Sequence, residues 1–188
     1  LMVRALVLDR GATRIALAMV DSCMVPRDII DAAKGQASRA TGIPVDRMMV
    51  SATHTHHAPD TLGLWGSGLS TGVNPQYLKR VEDACVEAVK GAQGKLRPVI
   101  ARLGEVEAGD LMNDSRPPQV KMDPLGVLRL EGADGKTACL AVLWHNHPEM
   151  INSNHKGVSS DYVGSLVATL GKKYECPVVY LTGAVGGL

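Results

Sequence analysis

The sequence predicts an α/β protein: a mixed β-sheet with flanking helices and a metal site at strand carboxyl ends. Three observations predict it. Two apolar hairpin patterns are each followed by a helical pattern and then a further short apolar run. Two His-x-His segments, His54 to His56 and His145 to His147, each directly follow an apolar strand pattern, the first the run after the first helix and the second the closing strand of the second hairpin. A proline follows each segment and turns the chain away.

Val3 to Leu8 and Arg14 to Val20 are apolar, β-branched runs around a turn containing Gly11, which predicts a hairpin. Pro26 to Thr41 carries Ile29, Ile30, Ala33, Ala37 and Ala40 at helical spacing, with Pro26 in the first turn and Gly42 as the stop. Met48 to Thr53 is the next strand, expected parallel to its predecessor with the helix packed over the sheet. Pro75 to Ala92 predicts a second helix with Leu78, Val81, Cys85, Val86 and Val89 inward, and Lys79, Arg80, Glu82 and Glu87 outward. Arg97 to Glu107 alternates as a strand, and Pro117-Pro118 excludes regular structure in the stretch after it. Leu125 to Leu130 and Thr137 to Trp144 form a second hairpin over Asp134-Gly135. A helix over Asp161 to Tyr174, capped by Ser159 or Ser160 with Asp161, and a strand over Pro177 to Leu181 complete the pattern.

The length of 188 residues, with 45% hydrophobic and 21% charged, suffices for one globular domain with a core. A net charge of +1 with no basic block argues against a nucleic-acid partner or a polybasic membrane contact. No run approaches the ~18 to 20 apolar residues of a membrane-spanning helix. Cys23, Cys85, Cys139 and Cys176 form no Cys-x-x-Cys pair and sit among apolar neighbours, so each reads as a buried free thiol. The chain begins within a strand pattern and stops in a glycine-rich turn at Leu188, which reads as a fragment.

The segment Ser51 to Asp60 holds three of the six histidines within four positions. In an extended segment His54 and His56 share a face, and two imidazoles can converge on zinc, copper, iron or nickel. An exposed His-rich turn without a ligand is the plain alternative; the second cluster, Trp144-His145-Asn146-His147-Pro148, repeats the design and favours metal. A catalytic zinc takes three or four protein ligands and leaves a position for water. His54 and one histidine of the second cluster are the first candidates. His56 or His145 can fill a further place or stand beside the ligands. Asp21 can orient an imidazole or cap the helix start. Arg116 can hold a substrate anion or oxyanion, or form a surface ion pair.

The stretch Ser-Ala-Thr-His-Thr-His-His-Ala-Pro-Asp, 51 to 60, resembles the Thr-His-Thr-His-Ser-Gly-Pro segment of the neutral, non-lysosomal ceramidases. The Asp21 to Arg27 turn, Asp114-Ser115-Arg116, Asn146-His147-Pro148, Ser159-Ser160-Asp161-Tyr162 and Thr182 to Gly187 have counterparts in the same order. The resemblance spans the chain and implies residues 1–188 as the first part of a zinc hydrolase catalytic domain. It implies a zinc-dependent amidase that cleaves the N-acyl bond of ceramide, a Zn2+ cofactor, and a lipid amide substrate with transient contact at a membrane surface. By it, His54 and His147 correspond to zinc ligands, His56 lines the site and Arg116 lies near the substrate. The remaining ligands, a glutamate and a tyrosine, have no position here. An exported or cell-exterior location is implied too.

His57 replaces the serine of the family's His-Ser-Gly-Pro, Ala58 its glycine, and Gly186-Gly187 stands where Gly-Asp or Gly-Asn is usual. Three readings follow: a ceramidase-type zinc amidohydrolase, a related metal hydrolase acting on another amide or ester, and a non-catalytic metal-binding module.

Overall fold

The computed structural model describes residues 1–67, 70–151 and 154–186. Gly68 and Leu69 in the loop after the first histidine cluster, Asn152 in the loop after the second, and Gly187 of the terminal turn lie outside the described residues. The chain forms two compact units: residues 1–96 with 156–160, and residues 97–155 with 161–188. Each is an α/β unit built on a mixed sheet.

In the first unit β1 (Val3–Arg10) and β2 (Thr13–Val20) form the expected hairpin, with Gly11 at φ 62 in its tight turn. The left-handed backbone there favours glycine. Helix α1 (Arg27–Thr41) ends at Gly42, which adopts φ 74 and returns its N–H to the Ser38 carbonyl. Strand β3 (Met48–Ala52) then pairs parallel to β2, giving the order β1-β2-β3. Ala16 and Ala18 alternate on one face of β2, and their small side chains admit both Ala37 of α1 and Val86 and Val89 of α2 (Pro75–Gln93) into one core. Val20, Ala33, Val81 and Cys85 extend it. Burial of each such valine contributes roughly 1.5 to 3 kcal/mol.

The side chain of Asn74 caps α2, accepting from the amides of Gln76 and Tyr77. Glu82 departs from the expected outward stripe. It is 8% exposed, accepts from Lys79 at 2.9 Å and contacts Gln36 of α1, so a polar bridge between the two helices replaces solvent.

The second unit is a four-stranded sheet ordered β4-β5-β6-β7, from β4 (Val99–Glu107), β5 (Pro124–Gly132), β6 (Thr137–Trp144) and β7 (Val178–Thr182). The first three are antiparallel and β7 is parallel to β6. Leu140, Val142 and Trp144 alternate on one face of β6 and pack with Val178, Tyr180 and Val163 of α3 (Asp161–Tyr174). Strand β4 alternates in sequence but has no buried face: all nine of its residues are exposed. Asp161 helps organise the start of α3. Its carboxylate accepts from its own helix at Tyr162 N and from the loop amides of Met150 and Ile151, with a φ of 55.

The units repeat one plan of hairpin, helix and parallel strand. Val20 opposes Ala52 in one and Trp144 opposes Thr182 in the other. Each ladder gains one bond past its last pair: Thr53 N donates to Val20 O at 2.8 Å, and Gly183 N donates to Trp144 O at 2.9 Å.

Candidate functional site

The first histidine cluster leaves the sheet at Ala52. His54 N donates to Ser22 O at 2.9 Å, which carries the chain across the end of β2, and His54 adopts φ 70. A left-handed β-carbon-bearing residue costs roughly 1 to 2 kcal/mol, a strain the surrounding bonds sustain. The expected extended alternation of His54 and His56 therefore does not hold, because the strand has already ended. The turn brings them together another way: the rings meet edge to face, centroids 5.3 Å apart at 80°. His54 is half-buried and His56 exposed.

Neighbouring side chains hold this loop. Thr55, fully buried, donates to Ser159 O at 2.8 Å, and Ser159 N donates to His57 O at 2.8 Å. Thr61 Oγ1 donates to Met24 O at 2.7 Å, and Ser22 Oγ donates to the same carbonyl at 2.8 Å. Asp60 accepts from the amides of Leu62, Gly63 and Trp65. These bonds hold its carboxyl below the usual range, against a desolvation that pushes it up.

His54 Nδ1 lies 2.7 Å from the Cys23 carbonyl oxygen. A carbonyl can only accept, so Nδ1 carries the proton and Nε2 keeps the lone pair that a metal takes. Cys23 Sγ stands 3.9 Å from the same nitrogen. The ligand atoms of Cys23, His54 and His56 all fall within 4.8 Å of one another. Sequence reasoning assigned Cys23 only burial. The signal was the parallel pairing, which puts the residues following Val20 beside those following Ala52.

Asp21 takes neither role expected of it. It is fully buried and accepts from the Arg4 guanidinium at 2.9 Å and from Met2 N at 2.9 Å. A buried carboxylate takes the nearest cation, and the hairpin register places Arg4 opposite Met19, near the end of β2.

In the second unit His147 is 9% exposed and its Nδ1 lies 3.1 Å from Gly186 O. The tautomer argument made for His54 applies again, and Nε2 is the nitrogen left with a lone pair. Arg116 is exposed, and its guanidinium donates to the same Gly186 carbonyl at 3.3 Å. His147 and Arg116 are thus brought together. His145 differs: its Nδ1 accepts from Ala184 N at 2.8 Å, so the proton sits on Nε2. Gly183 leaves room for that ring, since a Cβ there would fall on the imidazole.

A tyrosine pair braces this segment. Tyr162 Oη donates to Asn146 O at 2.7 Å and accepts from Tyr180 Oη at 2.6 Å, which also stands 3.4 Å from Trp144 O. Burial pushes both phenols up, Tyr180 to about 12. In the loop before β5 the amides of Val120 and Arg116 bond the Asp114 carboxylate and hold it below the usual range.

No protein-family model and no curated protein matches the chain. Solved structures do. A ceramidase complexed with C2 matches with a TM-score of 0.82 and 18% identity, over 98% of this chain and 32% of that one. The crystal structure of neutral ceramidase from Pseudomonas aeruginosa matches with a TM-score of 0.78 and 18% identity, over 98% of this chain and 33% of that one. The chain spans about a third of the length of the ceramidases it matches. Over that span it has the fold of the neutral ceramidases.

Proposed function

We propose that the chain carries part of a zinc-dependent amidohydrolase of ceramidase type, which cleaves the N-acyl amide bond of ceramide or a related lipid amide. One observation carries the reading within this fold: His54 and His147 both turn Nδ1 to a main-chain carbonyl. That is the usual setting of a metal-ligating histidine, in which the bonded N–H fixes the ring and raises the basicity of the other nitrogen. In this reading His54 and His147 ligate the zinc through Nε2. Residues 1–188 form the first part of the catalytic domain, consistent with their one-third coverage of the solved ceramidases.

Bound zinc supplies Lewis acidity toward the amide carbonyl. His56, exposed beside His54, exchanges protons with solvent and substrate. Arg116 presents a permanent positive charge for the oxyanion, its guanidinium oriented by Gly186 O. Leu64 and Trp65, each 62% exposed next to the Asp60-pinned turn, support transient contact with a lipid surface.

Zinc content and N-acylsphingosine hydrolysis test the reading on the full-length parent that carries this chain, with His54→Ala and His147→Ala alongside; the chain alone, without the remaining ligands, is expected to be inactive. About one zinc per chain is expected, lost in both variants together with hydrolysis. A wild-type protein that binds no zinc overturns it. The substitution of His57 and Ala58 for the family's serine and glycine favours a second reading, a related metal hydrolase of another amide or ester. Zinc retained with no ceramide turnover, but cleavage of shorter amides or esters, selects it.

A further inference from the structure

We propose that Tyr162 is a positioning residue for His147: its phenol, with the carboxylate of its neighbour Asp161, holds the backbone on either side of that histidine and so fixes where Nε2 points. The proposal deepens the zinc reading and rests on it for the role of His147.

The first observation is where the bonds fall. Tyr162 Oη donates to Asn146 O at 2.7 Å, and that oxygen belongs to the peptide that leads into His147. On the far side the Asp161 carboxylate accepts from the amides of Met150 at 3.2 Å and Ile151 at 3.0 Å. Between these anchors the chain has little freedom. Pro148 is fully buried, fixes its own φ and keeps His147 out of the helical region. Glu149 N donates to His147 O at 2.9 Å. With the peptides on both sides held, the imidazole turns only about its two side-chain torsions, and Gly186 O takes its Nδ1.

The second is the backbone of Asp161. Its φ of 55 is a left-handed conformation that a β-carbon disfavours. A helix start needs no such turn. Here it lets two adjacent side chains reach opposite ends of the segment, the carboxylate to Met150 and Ile151 and the phenol to Asn146. Strain of this kind persists only where the surroundings over-determine it.

Packing alone does not account for the hydroxyl. The Tyr162 ring meets Trp144 and Tyr180 edge to face, with centroids 5.4 and 5.9 Å away. A phenylalanine ring makes the same contacts, so the hydroxyl is what ties this cluster to the peptide of His147.

Tyr162→Phe in the full-length parent keeps the ring and removes the bond. Tyr180→Phe is the control, since it deletes a buried hydroxyl of the same cluster and leaves the bond to Asn146. In the metal-free parent, amide hydrogen exchange over residues 145–151, read by peptide mass, is expected to quicken roughly tenfold in Tyr162→Phe and to stay near wild type in Tyr180→Phe. Zinc affinity is expected to fall roughly 10- to 100-fold in Tyr162→Phe, the range for loss of a partner behind a ligating histidine. At saturating zinc, kcat for N-acylsphingosine falls in Tyr162→Phe while KM holds. Equal effects of the two variants overturn the proposal, because any lost hydroxyl would then suffice. Unchanged exchange in Tyr162→Phe overturns it, as does faster exchange with unchanged zinc affinity; in each case a wild-type parent that binds zinc and hydrolyses the amide leaves the hydrolase reading intact. A wild-type parent without zinc removes that reading and the proposal with it.

Discussion

Arg116 and His147 reach the same carbonyl, that of Gly186, at 3.3 and 3.1 Å. One oxygen has two lone pairs and accepts both donors, so a single main-chain group sets the tautomer of the imidazole and the direction of the guanidinium.

Arg116→Ala removes the charge and leaves the bond from His147 to Gly186. Under the proposed function, zinc content stays at the wild-type level while kcat falls by about 10² to 10³, the range for loss of one oxyanion donor. Arg116→Lys is expected to recover little, since an ammonium lacks the planar fork. Equal loss of metal and activity in Arg116→Ala would place the residue in metal retention instead.

The Arg4–Asp21 pair yields a stability prediction. Asp21 is fully buried, and removal of its cation leaves an uncompensated charge. Arg4→Met is expected to destabilise by about 3 to 5 kcal/mol in urea denaturation. Adding Asp21→Asn to it should recover part of that loss. Additive effects of the two substitutions would mean that the pair does not act as a unit.

Gly183 and Gly186 contrast. A β-carbon at Gly183 meets the His145 ring, while one at Gly186 meets nothing within 4 Å among the described residues. Gly183→Ala is expected to cost about 1 to 3 kcal/mol through overpacking and to displace His145, and Gly186→Ala to be near neutral. Thermal unfolding of the two proteins distinguishes them. Equal losses would contradict the close packing at Gly183.

Much of this architecture is legible in the sequence, for reasons particular residues make plain. Gly42 and Pro75 are strong local signals that act through their own backbone geometry, and the helix bounded by Gly42 and the one opened by Pro75 match the expected segments closely. Apolar runs around turn residues marked β2 and β6, which bury residues on both faces, whereas the alternation read in β4 marked a strand that buries neither. The histidine clusters were legible as strand-end residues. Which nitrogen each ring presents was not, because the Cys23 and Gly186 carbonyls that decide it are 31 and 39 residues distant. Glu82 and Asp21 were misassigned for the same cause: their partners, Gln36 and Arg4, are 46 and 17 residues away. Charge pattern along one helix or strand end carries no trace of such partners.

Acid should open the loop after β4 late. Amides of Val120 and Arg116 stabilise the ionised Asp114, whose carboxyl is held below its ordinary value near 3.8. The folded group is the stronger acid, so its contribution is present above the unfolded pKa and is lost as pH falls through the folded one. Exchange of the Val120 and Arg116 amides should stay slow at pH 4 and quicken below the ordinary aspartate range. Asp114→Asn should abolish that dependence; a wild-type loop that opens between pH 5 and 4 would refute the assignment.

The four thiols should react in a defined order. Burial pushes Cys85 up to about 12 and Cys139 to about 11, and raises Cys176 as well. The thiolate is the attacking species, so at pH 8 these thiols hold a small reactive fraction, smallest at Cys85. Cys23 is half-buried at a strand end next to two imidazoles. Iodoacetamide at pH 8 is therefore expected to label Cys23 first in the metal-free folded protein and Cys85 last. Raising the pH toward 11 should bring Cys139 in before Cys85. Peptide mass mapping over time reads the order, and labelling of Cys85 ahead of Cys23 would contradict both the burial of the helix core and the access at the strand end.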